Sequence, residues 1–177
     1  MSKVNGTIRR AVRGDLQALV ALEALFPGDR LSAASFHHLL ARGHADLWVY
    51  ELAGEIRADA VVLYRRRSKR ARLYSLITHP DYRACGCAGQ LLALAENAAH
   101  QRGCTQIGLE VRADNDIARG LYERRGYRPC KLLAGFYDDG ASALRMEKSL
   151  TNLRSAKAVA GNEASHRQHV TIPPGSS

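Results

Sequence analysis

The amino-acid sequence predicts an α/β fold in which helices flank a mixed sheet. Segments that read as strands alternate with segments whose apolar residues recur at helical spacing, and turn residues separate them. The 177 residues are 46% apolar and 24% charged, a composition typical of one soluble globular domain. No uninterrupted apolar run reaches about 18 residues, so no membrane span is predicted. The N-terminal residues include no apolar secretory segment, and we therefore expect a cytoplasmic protein.

The first half of the chain contains two short helices among strands. Asp15 is the expected N-cap of the first helix, whose apolar residues between Leu16 and Leu22 recur at helical spacing. The run Phe26-Pro27-Gly28-Asp29 ends it. Ser32 is the N-cap candidate of the second helix, which Gly43 ends. Strands are predicted over residues 7–12, 47–52, 60–64 and 73–77.

The second half of the chain contains two further helices. His79-Pro80 ends a strand, and a loop with two glycines leads into a long helix near residues 86–102, with apolar residues from Leu91 to Ala99 on one side. A helix over about residues 115–125 stops at Gly126. The remaining strands are predicted over residues 106–111, 127–133 and 142–148. The prediction therefore totals about seven strands and about four helices.

The composition changes near residue 150. From Thr151 onward the chain is rich in Ser, Asn, His and Gly, and Pro173-Pro174 lies near its end. Such a segment has too little apolar surface to fix its own conformation. We predict one domain over residues 1–150 and a disordered tail over residues 151–177.

The formal net charge of the chain is +9, and a run from Arg65 to Arg70, together with Arg72, supplies much of it. Strand-like segments flank this run, which favours the solvated tip of a hairpin. A contact with nucleic acid or an acidic partner through the same hairpin stays open.

The four cysteines are expected to be reduced thiols. They form no C-x-x-C pair, and nothing predicts a metal site. Cys85 and Cys87 flank a glycine, which leaves open whether they are reactive.

The loop Arg83–Gly89 stands between a strand and the long helix. Amides at a helix start are unpaired and the helix dipole adds positive charge there, so this position suits a phosphate. Small residues let a ligand approach the backbone, and Arg83 adds a formal charge. A glycine-rich turn that only reverses the chain is the alternative. The residues that would surround the phosphate are Arg83, Ala84, Cys85, Gly86, Cys87, Ala88 and Gly89.

The spacing R-x-x-G-x-A in this loop resembles the acetyl-CoA motif of the GNAT superfamily of N-acetyltransferases, Gln/Arg-x-x-Gly-x-Gly/Ala. The segments Leu76–Arg83, Leu109–Asn115 and Ala118–Tyr127 resemble the family's flanking blocks, and the likeness covers roughly residues 7–150. It implies a single GNAT-like domain with a mixed, mostly antiparallel sheet, and acetyl-CoA as co-substrate without a metal. The resemblance also implies that Leu76, Ile77 and Thr78 bond the pantetheine arm, that residues 84–89 hold the pyrophosphate, and that Asn115 contacts the cofactor. Many relatives have a basic residue or glycine where this chain has Ala84.

Glu110 and Tyr122 are the candidate catalytic residues. The closest likeness is to the ribosomal-protein-alanine N-acetyltransferase branch, in which the matching positions supply a general base and a general acid. A base removes the proton that the attacking amine loses, and an acid protonates the leaving thiolate. An ordinary strand glutamate and a core aromatic are the alternatives from the residues alone. Asn115 also suits the start of a helix as an N-cap.

The resemblance implies that the acceptor amine enters near Phe26 on one side and near Tyr137 and Asp138 on the other. A peptide or protein N-terminal α-amine is the first expectation for this acceptor. A small amine such as a polyamine, an amino sugar or an antibiotic is the alternative, and a non-catalytic module that binds acetyl-CoA or RNA is a third. The ribosomal branch often has a tryptophan after Phe-Pro, where this chain has Gly28. The state of assembly is expected to be a monomer or a homodimer.

Overall fold

The fold is described from a computed structural model that covers residues 6–26, 31–41 and 43–152. The predicted tail lies outside the described residues from 153 onward, and so do residues 27–30, which were expected to end the first helix. Among the described residues, no helix is both long and apolar enough to cross a membrane.

Seven strands form one sheet, in the spatial order β1-β2-β3-β4-β5-β7-β6. Neighbouring strands are antiparallel except β4 and β5, which are parallel. The seven strands and the four helices of the described part confirm the predicted mixed α/β architecture. The strands are β1 (Thr7–Arg10), β2 (Ala45–Leu52), β3 (Glu55–Tyr64), β4 (Arg70–Thr78), β5 (Gln106–Arg112), β6 (Arg128–Leu133) and β7 (Ala143–Ser149). The helices are α1 (Leu16–Glu23), α2 (Ala33–Ala41), α3 (Cys87–Gln101) and α4 (Asp116–Arg124).

The predicted capping residues of the two short helices behave differently. The Ser32 hydroxyl accepts a hydrogen bond from the Ser35 amide at 3.1 Å and caps α2 as predicted. Asp15 occupies the N-cap position of α1 as predicted, but its side chain makes no cap bond there. A short 3-10 turn over Arg13–Asp15 precedes α1, and the Asp15 carboxylate accepts from the Val12 amide and from Arg9 instead.

Two hydrophobic cores cover different parts of the sheet. Helix α3 and the α4 residue Tyr122 pack on one face, where Ile107, Leu109 and Val111 of β5 are buried. Helices α1 and α2 pack on the other face against β2 and β3. Because successive side chains of a strand alternate between faces, Gly108, Glu110 and Arg112 point to the face of α1 and α2. All three residues are only partly buried.

Strands β4 and β5 separate soon after they meet. Only Arg70, Ala71 and Arg72 pair with β5, where they face Gln106, Ile107 and Gly108. A bulge follows in β4, since Val61 of β3 pairs with Ser75 and Val62 pairs with Leu73, leaving Tyr74 as the extra residue. A bulge bends its strand and strengthens the local twist. The two parallel strands therefore diverge beyond Arg72 and leave a gap in the sheet.

The fully buried carboxylate of Asp46 joins the first three strands to the end of α3. It accepts hydrogen bonds from Arg10 at 2.6 Å, Tyr64 at 2.7 Å and Arg102 at 2.7 and 3.1 Å. Burial raises the pKa of Asp46, but the hydrogen bonds from Arg102, Tyr64 and Arg10 outweigh it and hold the pKa below its ordinary value.

We expect Asp46→Asn to lower the free energy of unfolding by about 3 kcal/mol at pH 7, because it leaves two guanidinium groups without their carboxylate. A lowered folded-state pKa contributes stability above the unfolded pKa, and that stability is lost as the pH falls. The difference in stability between the wild type and the Asp46→Asn variant should therefore shrink below about pH 4. Urea unfolding at several pH values measures it; a difference that stays constant down to acid pH contradicts the assignment.

Candidate active site

A cavity of about 640 Å³ lies in the gap between β4 and β5. Its walls are the diverging ends of the two strands, and one side is closed by α4 and by the β6–β7 connection. Because the two strands no longer pair there, backbone N–H and C=O groups on their facing edges lack strand partners. The lining residues are Leu73–Leu76, Leu109–Arg112, Asn115, Ala118, Tyr122 and Tyr137–Asp139.

The cavity brings together six of the residues singled out from the sequence. The members that line it are Leu76, Glu110, Asn115, Tyr122, Tyr137 and Asp138. Ile77 and Thr78 continue β4 beyond the cavity, and the 83–89 loop follows at the start of α3. Phe26 does not line the cavity, and its ring lies under the Arg83 guanidinium at 5.8 Å.

Glu110 is held between two arginines on the neighbouring strands. Oε2 accepts from Arg72 at 2.8 and 3.0 Å, and Oε1 accepts from Arg145 at 2.9 and 3.1 Å. The Glu110 side chain is 11% exposed, which makes these charge-assisted bonds stronger than those of an open surface pair. The sequence did not single out either arginine for this role. Arg145 is the direct cross-strand partner of Glu110, which only the strand order reveals.

Tyr122 lies on α4 with its ring buried against the core. It packs edge-on against Tyr127, with ring centroids 5.6 Å apart. Burial, with a smaller contribution from Tyr137, raises the pKa of Tyr122 above its ordinary value. The hydroxyl is therefore protonated at neutral pH, which is the state that a proton donor needs.

The start of α3 fits an anion. Its N-cap Gly86 has no side chain, no acidic residue stands in the first turn, and the Cys87 amide makes only a 3.4 Å bond to the Cys85 sulfur. A Cβ built on Gly86 or Gly89 would meet nothing within 4 Å, so the backbone faces open space. Gly86 has φ +84° and Ala84 has φ +62°, a region that favours glycine. Ala84 therefore stands where a glycine would remove backbone strain.

All four cysteines are free thiols. Cys85 is exposed, whereas Cys87 is buried beside Thr78. Burial and the neighbouring Cys85 raise the pKa of Cys87 to about 11, which keeps this thiol protonated. The described residues contain no group of His, Cys, Asp and Glu side chains that could hold a metal ion.

Charged residues from the end of β5 and from the β6–β7 connection line another part of the cavity. Arg112 bonds both Asp114 and Asp139 and lies over the Tyr137 ring at 5.2 Å. Asp139 is thus engaged, while Asp138 is exposed and forms no ion pair within the described ranges. The Asn115 side chain caps α4 by accepting from the Ala118 amide at 3.0 Å, which confirms its predicted capping role.

Comparisons with known proteins agree with this geometry. The profile described as the acetyltransferase (GNAT) family matches residues 16–127. Acetyltransferase SG1711 of Sodalis glossinidius (strain morsitans) is 39% identical over 79 residues, which are 45% of this chain. The match spans 54%, about half, of that relative's length.

Two solved structures are similar over most of the described fold. The ribosomal-protein-S18-alanine N-acetyltransferase of Escherichia coli is 25% identical with a TM-score of 0.74, covering 84% of this chain and 99% of that one. Ard1 from Thermoplasma volcanium has a TM-score of 0.76 at 23% identity, covering 82% and 98%. At that identity the second likeness shows the fold alone.

The two glycines at the start of α3 give a test of anion binding. Gly89 lies inside the helix, so Gly89→Ala should not lower the free energy of unfolding, since alanine favours a helix by about 1 kcal/mol. Its Cβ would nevertheless intrude on an anion at these amides and weaken CoA binding about tenfold. Gly86→Ala should weaken binding and also lower stability by about 1 kcal/mol through its positive φ. Calorimetry with CoA and thermal unfolding measure both; unchanged CoA affinity in Gly89→Ala contradicts the site.

Proposed function

The chain belongs to the acetyltransferase (GNAT) family, and on that premise we propose that it transfers the acetyl group of acetyl-CoA to the α-amine of a peptide or protein N-terminus. The cavity between β4 and β5 supports this proposal most directly, since Glu110 and Tyr122 both line it. A base and an acid on opposite walls of one cavity are what acyl transfer to an amine requires.

We propose that the cofactor lies along the inner edge of β4 and ends at the start of α3. When bound, acetyl-CoA supplies the activated acetyl group as a thioester. The unpaired edge of Leu76, Ile77 and Thr78 offers backbone hydrogen bonds to an extended amide-bearing arm. The amides of residues 84–89, with Arg83 beside them, suit the pyrophosphate because they end at an uncapped helix start. Asn115, at the cavity wall, is the further cofactor contact.

Glu110 acts as the general base in this proposal. An α-amine with a pKa near 8 is neutral in roughly a tenth of the molecules at pH 7, so a weak base suffices to take the proton that it loses on attack. The carboxylate accepts this proton directly or through a water. The bond from nitrogen to the acetyl carbon forms as the carbon–sulfur bond breaks.

Tyr122 acts as the general acid and donates its proton to the departing thiolate. Its hydroxyl is protonated at neutral pH, and the residue is buried at the wall of the cavity. After product release, solvent returns a proton to the phenolate and takes up the proton held by Glu110.

The acceptor is proposed to approach across the face of the sheet that bears Glu110. Phe26, Tyr137 and Asp138 are the proposed acceptor contacts, and the exposed Asp138 carboxylate favours a cationic group near the amine. The likeness to a ribosomal-protein-S18-alanine N-acetyltransferase supports a peptide N-terminus as that amine.

The acceptor class is tested by thiol release from acetyl-CoA with an Ala-Arg peptide, the same peptide blocked at its N-terminus, and spermidine. We expect release with the free peptide and none with the blocked one. Faster turnover of spermidine would assign a small-amine acceptor instead. Cofactor binding without release with any amine would indicate a binding module.

Tyr122→Phe should lower kcat about a hundredfold, because it removes the proton donor while the ring still fills the core. The affinity for acetyl-CoA should stay close to that of the wild type. Tyr127→Phe is the matched control, since its ring packs against Tyr122 but does not line the cavity. Equal turnover in the two variants would rule out Tyr122 as the acid.

Glu110→Gln should also lower kcat about a hundredfold, since the amide occupies the same space but cannot accept the proton. Asp138→Asn, which removes a charge at the far rim, is the comparison, and its effect should fall on KM of the acceptor. Wild-type kcat in Glu110→Gln would remove this residue from the chemistry.

A further inference from the structure

The two arginines that hold Glu110 occupy different places relative to the gap in the sheet. Arg145 on β7 is the direct partner of Glu110, within a ladder that pairs every residue of β5 from Gln106 to Arg112. Arg72 lies on β4 and pairs with Gly108, two residues before Glu110. Its guanidinium therefore reaches forward across the point where β4 and β5 part.

The Arg72–Glu110 ion pair thus joins β4 to β5 at the edge of the cavity, which Glu110 lines and Arg72 adjoins. Arg72 is the last residue of β4 that pairs with β5, and the bulge at Tyr74 follows directly. A thioester arm that enters between the strands would have to pass beside this ion pair. The Arg145–Glu110 pair does not cross the gap, because β5 and β7 stay together.

From this asymmetry we infer that Arg72 is a positioning residue. Arg72 holds Oε2 of Glu110 until bound acetyl-CoA separates the two side chains, whereas Arg145 holds Oε1 throughout the reaction. The inference rests on the proposed function. Acetyl-CoA would then bind before the amine, because Glu110 becomes available to the amine only after the cofactor is in place.

The hydrogen bonds of Glu110 explain why one arginine has to leave. Each carboxylate oxygen accepts one hydrogen bond, Oε2 from Arg72 and Oε1 from Arg145, and a second guanidinium nitrogen lies within 2.9 Å of each, so both oxygens face a guanidinium rather than an amine. Loss of Arg72 frees Oε2 for the proton.

The Arg72 guanidinium has other favourable surroundings besides Glu110. While it bonds Glu110 it already lies 5.4 Å from the centre of the Tyr74 ring, within the range of a cation–π contact, and the Arg72 side chain is 49% exposed. Movement onto the ring and into water therefore costs Arg72 little. The other charged and titratable groups that share the cavity with Glu110 are Arg112, Tyr122, Tyr137, Asp138 and Asp139.

The experiment compares Arg72→Gln with Arg145→Gln in the full-length chain. Each variant removes one guanidinium from Glu110, and Arg66→Gln removes an exposed charge of the hairpin tip that forms no ion pair in the described part of the chain. The rate of thiol release is measured against pH with an N-terminal peptide. The profile of kcat/KM for acetyl-CoA reports the free enzyme, and the profile of kcat reports the loaded complex.

If Arg72 leaves Glu110 when acetyl-CoA binds, Arg72→Gln moves the acidic limb of the kcat/KM pH profile to higher pH by about half a pH unit or more. The acidic limb of the kcat pH profile stays in place. Arg145→Gln moves both limbs, because its contact persists. Arg72→Lys restores the limb of kcat/KM, and Arg66→Gln moves neither.

If Arg72→Gln moves the acidic limbs of both pH profiles equally, or moves neither, the role inferred for Arg72 is wrong, provided that the wild type turns over. A wild-type protein that binds acetyl-CoA and releases no thiol with any amine contradicts the proposed function instead. The two failures are therefore distinguishable.

Discussion

The separation of two parallel strands is the constraint on which the site depends. Strands β4 and β5 pair over three residues and then part at a bulge, while β4 stays paired with β3 and β5 stays paired with β7. The gap is thus held open between two firmly paired halves of one sheet, and its walls expose backbone groups that no neighbouring strand satisfies. Glu110 and Tyr122, the proposed base and acid, both line this gap.

The rest of the fold keeps those two halves in place. Asp46 ties β1, β2 and β3 to the end of α3, so the helix that begins at the proposed pyrophosphate loop is fixed at its far end. At the other wall, Arg145 and Arg72 fix the direction of the Glu110 carboxylate. The Asp46 network thus stabilises the frame, whereas the ion pair proposed to open has one arginine, Arg72, that is 49% exposed.

Apolar spacing, together with bounding residues such as Pro80, Gly86 and Gly126, predicted about seven strands and about four helices, and the described residues have these numbers. The sequence pattern could not predict which residues bind Glu110. Arg145 meets Glu110 only because β7 inserts between β5 and β6, and Arg72 reads in the sequence as part of a solvated basic run. The Asp15 carboxylate makes no cap bond to α1 because it accepts hydrogen bonds from Arg9 and from the Val12 amide instead. The roles of Glu110 and Tyr122 came from family resemblance, and they stay predictions.

Amide hydrogen exchange with and without CoA reports on the unpaired strand edges themselves. If the cofactor binds in the gap between β4 and β5, exchange in the presence of CoA slows along residues 75–78 and 86–89 and does not change in the hairpin tip at residues 65–69 or at Asp46. Unchanged exchange along both segments at a CoA concentration that saturates binding would show that the cofactor lies elsewhere, and the gap between β4 and β5 would then not be the active site.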